Sequence, residues 1–224
     1  MPMKSFLVAA ALGVSACALP ASAMAEEVFD APVAARQANE TGLQTAIFAG
    51  GCFWGIEGVF SHTRGVTSAV AGYHGGSAGT ASYRQVVSGT TGHAEAVRVT
   101  YDPSVIRYDQ LLQILFSVGA DPTLHNRQGP DRGPQYRSAI VPMNAEQRAV
   151  AEAYIAQMGR SGVWDEPIAV AIENHRRFYE AEDYHQDYML KNPDSGYIVR
   201  WDAPKVKALQ ANFPAHFRSR FRTG

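Results

Sequence analysis

Residues 44–60 read Gln-Thr-Ala-Ile-Phe-Ala-Gly-Gly-Cys-Phe-Trp-Gly-Ile-Glu-Gly-Val-Phe, and two periodicities meet inside them. Gln44 to Ala49 is a short apolar run stopped by Gly50-Gly51, the pattern of a buried strand. From Cys52 onward, Phe53, Ile56, Val59 and Phe60 recur at helical spacing. The glycines therefore predict a strand-to-helix turn, with Cys52 on the first turn of the helix. A thiol there meets unpaired backbone N–H groups and the positive end of the macrodipole, which predicts a pKa below the ~8.5 of a free cysteine. The glycines let the backbone come close to a bound molecule and adopt positive φ. Phe53 and Trp54 offer aromatic walls to an apolar, polarizable group. A buried structural cysteine between two core aromatics is the competing reading; the double glycine and the helix start favour a reactive thiol.

Outward from this turn, Val66 to Gly72 reads as a second strand and Gly72 to Gly79 as a flexible Gly-rich loop. Glu95 to Tyr101 alternates and stops at Asp102-Pro103, a third strand. Tyr108 to Val118 carries Leu111, Leu112, Leu115 and Phe116 on one helical face. A strand follows over Arg137 to Pro142. A long helix then covers Ala145 to Met158, with Asn144 as N-cap and Gly159 just past its end. Pro167 to Glu173 reads as the last strand and Tyr179 to Leu190 as the last helix, with a basic, irregular tail from Trp201. Strands alternating with helices through irregular connections predict an α+β fold: a two-layer sandwich with a ferredoxin-like core, a mixed sheet and irregular excursions.

The chain has 224 residues, 46% of them hydrophobic and 18% charged, which suffices for a globular core and excludes a disordered chain. A net charge of −1 argues against a nucleic-acid binder, which needs a clustered basic surface. With two cysteines the chain is not a disulfide scaffold. Lys4 precedes an apolar stretch from Phe6 to Ala16, too short to span a bilayer, and Pro20 and Ala23-Met24-Ala25 follow. This is the pattern of a cleaved signal peptide over residues 1–25, predicting an exported protein, periplasmic or secreted. Val14-Ser15-Ala16-Cys17 also resembles a lipobox, and a lipid anchor on Cys17 is the lesser alternative. Residues 26–43 are small and polar, an N-terminal extension. Residues 44–224 then form a single catalytic domain, with Cys52 as its only thiol.

Gly51-Cys52-Phe53-Trp54-Gly55 resembles the signature of the A-type peptide methionine sulfoxide reductases. Tyr83 with Thr91-Gly92-His93-Ala94-Glu95, then Asp131 to Ser138, then Glu182-Asp183-Tyr184-His185-Gln186 are similar to that family's blocks, in its order. The likeness covers roughly residues 45–197. It implies reduction of the S epimer of methionine sulfoxide, free or within proteins, with methionine as product. It also implies roles: Cys52 as nucleophile, Glu95 as the acid, and Tyr83 and Tyr136 as hydroxyls polarising the sulfoxide oxygen. Phe53 and Trp54 would hold the substrate methyl, Asp131 would orient the site, and His185 would line it. Sulfoxide reduction requires such a set, since a nucleophile attacks sulfur while the leaving oxygen is protonated. His93 reads as structural.

The chain departs from the family at Pro134, where Thr is common, around His74, and in having no resolving cysteine near its C-terminus. The last departure predicts a one-cysteine enzyme; no metal and no bound cofactor are expected. A sulfenic acid on Cys52 would then be recycled by an external thiol, either a small thiol or a thioredoxin-like protein. A monomer is expected. Three other classes compete. A metal protein lacks C-x-x-C or H-E-x-x-H spacing. A non-catalytic binder of oxidised peptides would use Phe53 and Trp54 without turnover. A cysteine hydrolase would need His185 as a base, with no evident orienting partner.

Overall fold

In a computed structural model the described residues are 28–224; the leader, Cys17 and Glu26-Glu27 lie outside them. The elements follow in chain order. β1 (Gln44–Gly50), α1 (Phe53–Ser61), β2 (Val66–His74), the short α2 (Tyr83–Val86), β3 (Ala94–Tyr101) and α3 (Tyr108–Ile114) form the first half. A small hairpin of β4 (Arg127–Gln128) and β5 (Asp131–Arg132), then β6 (Ser138–Val141) and α4 (Ala145–Met158), come next. The short strands β7 (Ala171–Ile172) and β8 (Tyr179–Glu180) and the helices α5 (Tyr188–Lys191) and α6 (Ala203–Asn212) complete the chain.

The main sheet has the order β7-β6-β1-β3-β2-β8, antiparallel throughout except for the parallel pair β6–β7. Its middle, β6-β1-β3-β2, with α1 and α3 as the crossovers, is the split β-α-β arrangement of a ferredoxin-like core. The fold is thus the expected α+β sandwich with a mixed sheet. Phe48 on β1 stacks against Phe60 of α1 at 5.1 Å and Tyr108 of α3 at 5.9 Å, joining sheet and helix layer. On the other face Ile47, Ala49, Ala96, Ala139 and Val141 are covered by Phe178. Residues 28–43 lie docked on the domain. Ala31, Ala34 and Ala38 are buried, and the Tyr154 hydroxyl donates to Pro32 O at 2.9 Å.

Several expectations need correction. Tyr179–Leu190 is not one helix: its start is β8, paired with Gly72 and Tyr73, and helix resumes only at Tyr188. Tertiary hydrogen bonds outcompete the local pattern there. The Gln186 amide accepts from Ala71 N at 3.0 Å and donates to Ala71 O at 2.9 Å, and Asp187 has φ 54. The tail is not irregular throughout, because α6 packs on α1, started by Pro204 in its first turn. α3 ends in a π-helical turn over Leu115–Gly119. Only Ala171–Ile172 of the segment from Pro167 to Glu173 is laddered, and β2 continues through Gly72 to His74. Beyond α6 the chain straps the far end of α1: Arg218 N donates to His62 O at 2.8 Å, and Arg222 N to Ser61 O at 3.0 Å.

Candidate active site

Cys52 sits where β1 hands over to α1, as the residue capping the helix. The turn is possible because Gly51 takes φ +87 with its α-carbon against the Gln128 side chain, and Gly50 lies against Ala120. Cys52 is only 8% exposed. The Trp54 N–H, at the start of the helix, does favour the thiolate, as the sequence predicts. Burial outweighs it, reinforced by the carboxyls of Glu95, Asp202 and Asp131, and the thiol is pushed well above its ordinary range. The expectation of a lowered pKa is therefore overturned for the substrate-free protein: the resting group is a thiol.

Glu95, near the start of β3 and in register with Tyr73 of β2, is buried and accepts a hydrogen bond from Phe53 N at 3.1 Å. Burial, followed in effect by the Asp131 and Asp202 charges, pushes its carboxyl up to about 8 despite that bond. At neutral pH it is an acid with a proton to give, held by the N–H of the residue that follows the thiol. Tyr83 opens α2, whose backbone is anchored by Tyr83 N donating to Glu182 Oε1 at 2.9 Å. Tyr136 ends a 3₁₀ turn that begins at Pro134, so the proline fits the loop that carries it. Both phenols are raised first by burial and then by Glu95, with Tyr83 pushed up to about 12, and both feel Cys52 and Asp131. They are hydroxyl donors at any physiological pH.

Asp131, on β5, accepts a hydrogen bond from the Tyr197 hydroxyl, while burial raises its pKa. Trp54 lies flat on Tyr188, with ring centroids 3.7 Å apart at 7°, and Tyr197 meets its edge at 5.7 Å. Its Nε1 donates to His185 Nδ1 at 3.1 Å, which places the imidazole proton on Nε2; burial lowers the pKa of His185 and keeps it neutral. The His185 ring also packs on Phe53 at 5.0 Å and Tyr83 at 4.4 Å. His93 accepts from Gly76 N at 3.1 Å and contacts Ser77 O at 2.9 Å, holding the loop after β2.

The eight residues expected from the sequence thus converge on one site around Cys52. Four more were missed: Tyr197, Tyr188, Glu182, which also accepts from Tyr73 Oη at 2.9 Å, and Asp202, packed against the α-carbon of Gly55 with Lys205. Glu182 opens a block already singled out and Tyr188 lies two residues beyond it, but nothing in their spacing assigns them a task. Among the described residues no cluster of three or more His, Cys, Asp or Glu side chains is placed to hold a metal ion.

A buried thiol beside a protonated carboxyl, two phenols and an aromatic wall defines a thiol-based oxidoreductase that can protonate a leaving oxygen. Residues 44–216 match the family described as peptide methionine sulfoxide reductase. The chain is 52% identical to peptide methionine sulfoxide reductase MsrA 2 of Mesorhizobium japonicum, over 78% of this chain and 89% of that relative. It is 47% identical to the MsrA 2 of Synechocystis, over 77% and 80%. Among solved structures it resembles reduced Mxr1 of Saccharomyces cerevisiae, with a TM-score of 0.60 and 32% identity over 70% of this chain and 91% of that one. Methionine sulfoxide reductase A of Corynebacterium diphtheriae gives a TM-score of 0.57 and 32% identity, over 75% and 83%. The chain belongs to the peptide methionine sulfoxide reductases, of the A type.

Proposed function

We propose that this chain reduces the S epimer of methionine sulfoxide, free or within proteins, and works outside the cytoplasm as a repair enzyme. The observation that carries the reading is the Glu95 carboxyl, kept protonated by burial and held by the N–H of the residue next to Cys52. The substrate methyl rests between Phe53 and Trp54, and Tyr83 and Tyr136 donate to the sulfoxide oxygen. Cys52 Sγ attacks the sulfoxide sulfur as Glu95 gives its proton to the oxygen and takes up the thiol proton. The hydroxyl then passes to Cys52 Sγ as both the S–O bond to the substrate sulfur and the new Sγ–S bond break, so that methionine leaves and Cys52 is left as a sulfenic acid, oxidised by two electrons.

Cys52 is the one cysteine among the described residues. An external thiol therefore attacks the sulfenic sulfur and releases water. A second thiol then resolves the mixed disulfide and restores Cys52. A small thiol or a thioredoxin-like protein fits this role. Export is supported by the apolar stretch from Phe6 to Ala16 and by Ala23-Met24-Ala25.

The test is turnover of the two separated epimers with dithiothreitol, by wild type and Cys52→Ser. Reduction of the S epimer alone, abolished in the variant, is the expected result. Turnover of the R epimer, or activity surviving without the thiol, would overturn the assignment.

A further inference from the structure

The first turns of α1 carry a second acidic group that the reaction does not use. Glu57 is fully buried, on the helix face shared by Trp54 and Gly58. That face meets the turn into α5, and a side chain at Gly58 would strike Met189. Neither Glu57 carboxyl oxygen reaches a donor at full hydrogen-bond geometry. Burial, with the Asp187 carboxylate, pushes the group up to about 8, while the backbone N–H groups of Asp187 and Tyr188, and that of Ala71, which is already spent on Gln186 Oε1, face it and pull the other way. They belong to one irregular stretch and the strand that holds it: Asp187 has φ 54, and the Gln186 amide grips Ala71 from both sides. The next residue, Tyr188, lies flat against Trp54.

We propose that Glu57 is a positioning residue: its carboxyl fixes the backbone of residues 186–188, so that Tyr188 backs Trp54 and the indole keeps the pose in which it receives the substrate methyl. This rests on the sulfoxide reductase reading. A turn with a left-handed residue at its centre and no long helix behind it has little rigidity of its own. An acceptor buried among its N–H groups supplies what the local sequence lacks. Glu57 touches neither substrate nor reacting sulfur, so its loss acts on substrate affinity through Trp54 and leaves the chemistry of Cys52 and Glu95 in place.

The experiment is a single turnover without reductant, with methionine production followed against the concentration of the S sulfoxide, which separates apparent affinity from limiting rate. Glu57→Ala is expected to weaken affinity about tenfold while changing the limiting rate less than about twofold. Glu57→Gln, which keeps an acceptor, restores affinity to within about threefold of wild type, whereas Glu57→Met, which keeps only the volume, does not. If Glu57→Ala fails to fold, the Gln and Met pair carries the test alone. Tyr188→Ala should weaken affinity similarly, and combining it with Glu57→Met should add little, since both act on one stack. Full affinity in Glu57→Met, additivity in the double variant, or loss confined to the limiting rate would each overturn the proposal. A wild type inactive on the S sulfoxide would instead sink the functional reading.

Discussion

In the proposed reaction Glu95 is the residue on which the chemistry turns, because a carboxyl can donate to the sulfoxide oxygen only while it holds its proton. Its pKa lies at about 8, raised first by burial, so the acid form prevails at neutral pH and is lost above. With Cys52 resting as a thiol, the reactive state carries both protons. The single-turnover rate is then expected to be level below about pH 7.5 and to fall roughly tenfold per unit well above pH 8. Glu95→Gln should slow it by at least about 100-fold. A wild-type rate still climbing through pH 9 would show that free thiolate, not the acid, limits the step. That Cys52, Glu95, Tyr83, Tyr136, Phe53, Trp54, Asp131 and His185 lie together was legible in the sequence because each falls in a block that resembles the family's. The direction of the Cys52 shift was not. The N–H groups of the helix start are a local feature, whereas the burial and the carboxyls of Asp131 and Asp202 that outweigh them come from far along the chain. Tyr197 escaped for the same reason: only the fold brings it to Asp131.

Among the elements, the turn between β1 and α1 is the least replaceable. Gly51 has φ +87, and a Cβ there would meet Cβ and Cγ of Gln128. That side chain cannot swing aside, since its amide accepts from Asp121 N at 3.0 Å and donates to Asp121 O at 2.7 Å and Ser138 Oγ at 2.9 Å. Gly51→Ala combines left-handed strain of ~1–2 kcal/mol with overpacking of ~1–3 kcal/mol, so a loss of about 3 kcal/mol is expected. Turnover should fall as well, because Cys52 moves with the turn. Urea unfolding with parallel assays measures both, and a loss under about 0.5 kcal/mol would mean that the turn yields more easily than this packing allows. This turn was readable because its punctuation is local, and so was α4, where Asn144 Oδ1 accepts from Gln147 N at 2.8 Å at the expected N-cap. β8 and α5 were not readable: Glu182 and Gln186, polar positions of an apparent helix, are spent on Tyr73, Tyr83 and Ala71 across the sheet edge. α6 was hidden by the basic residues that follow it.

At the scale of the whole molecule, the acid of the proposed reaction carries a cost in stability. Glu95 is raised from 4.5 to about 8 in the folded protein, so between those values the unfolded chain ionises and the folded one does not. Its contribution turns progressively against folding as pH rises through that window and levels off above pH 8. Other groups act oppositely. Burial lowers His62, His93, His185 and His216 below 6.5, so their contribution is lost as pH falls through the unfolded value. Glu173, held down to about 2 by His74 and Arg137 in spite of burial, gives stability that is present above 4.5 and lost in acid. The raw stability profile is therefore a sum of opposing slopes, and the Glu95 share must be isolated by difference. Unfolding free energies of wild type and Glu95→Gln, measured in urea at steps from pH 5 to 8, cancel the histidines, which both proteins share. The difference should move in the variant's favour by up to about 1.4 kcal/mol per pH unit and then level off near pH 8. A difference independent of pH would mean that Glu95 ionises at its ordinary value. The proton given to the sulfoxide oxygen would then have to come from Tyr83 or Tyr136.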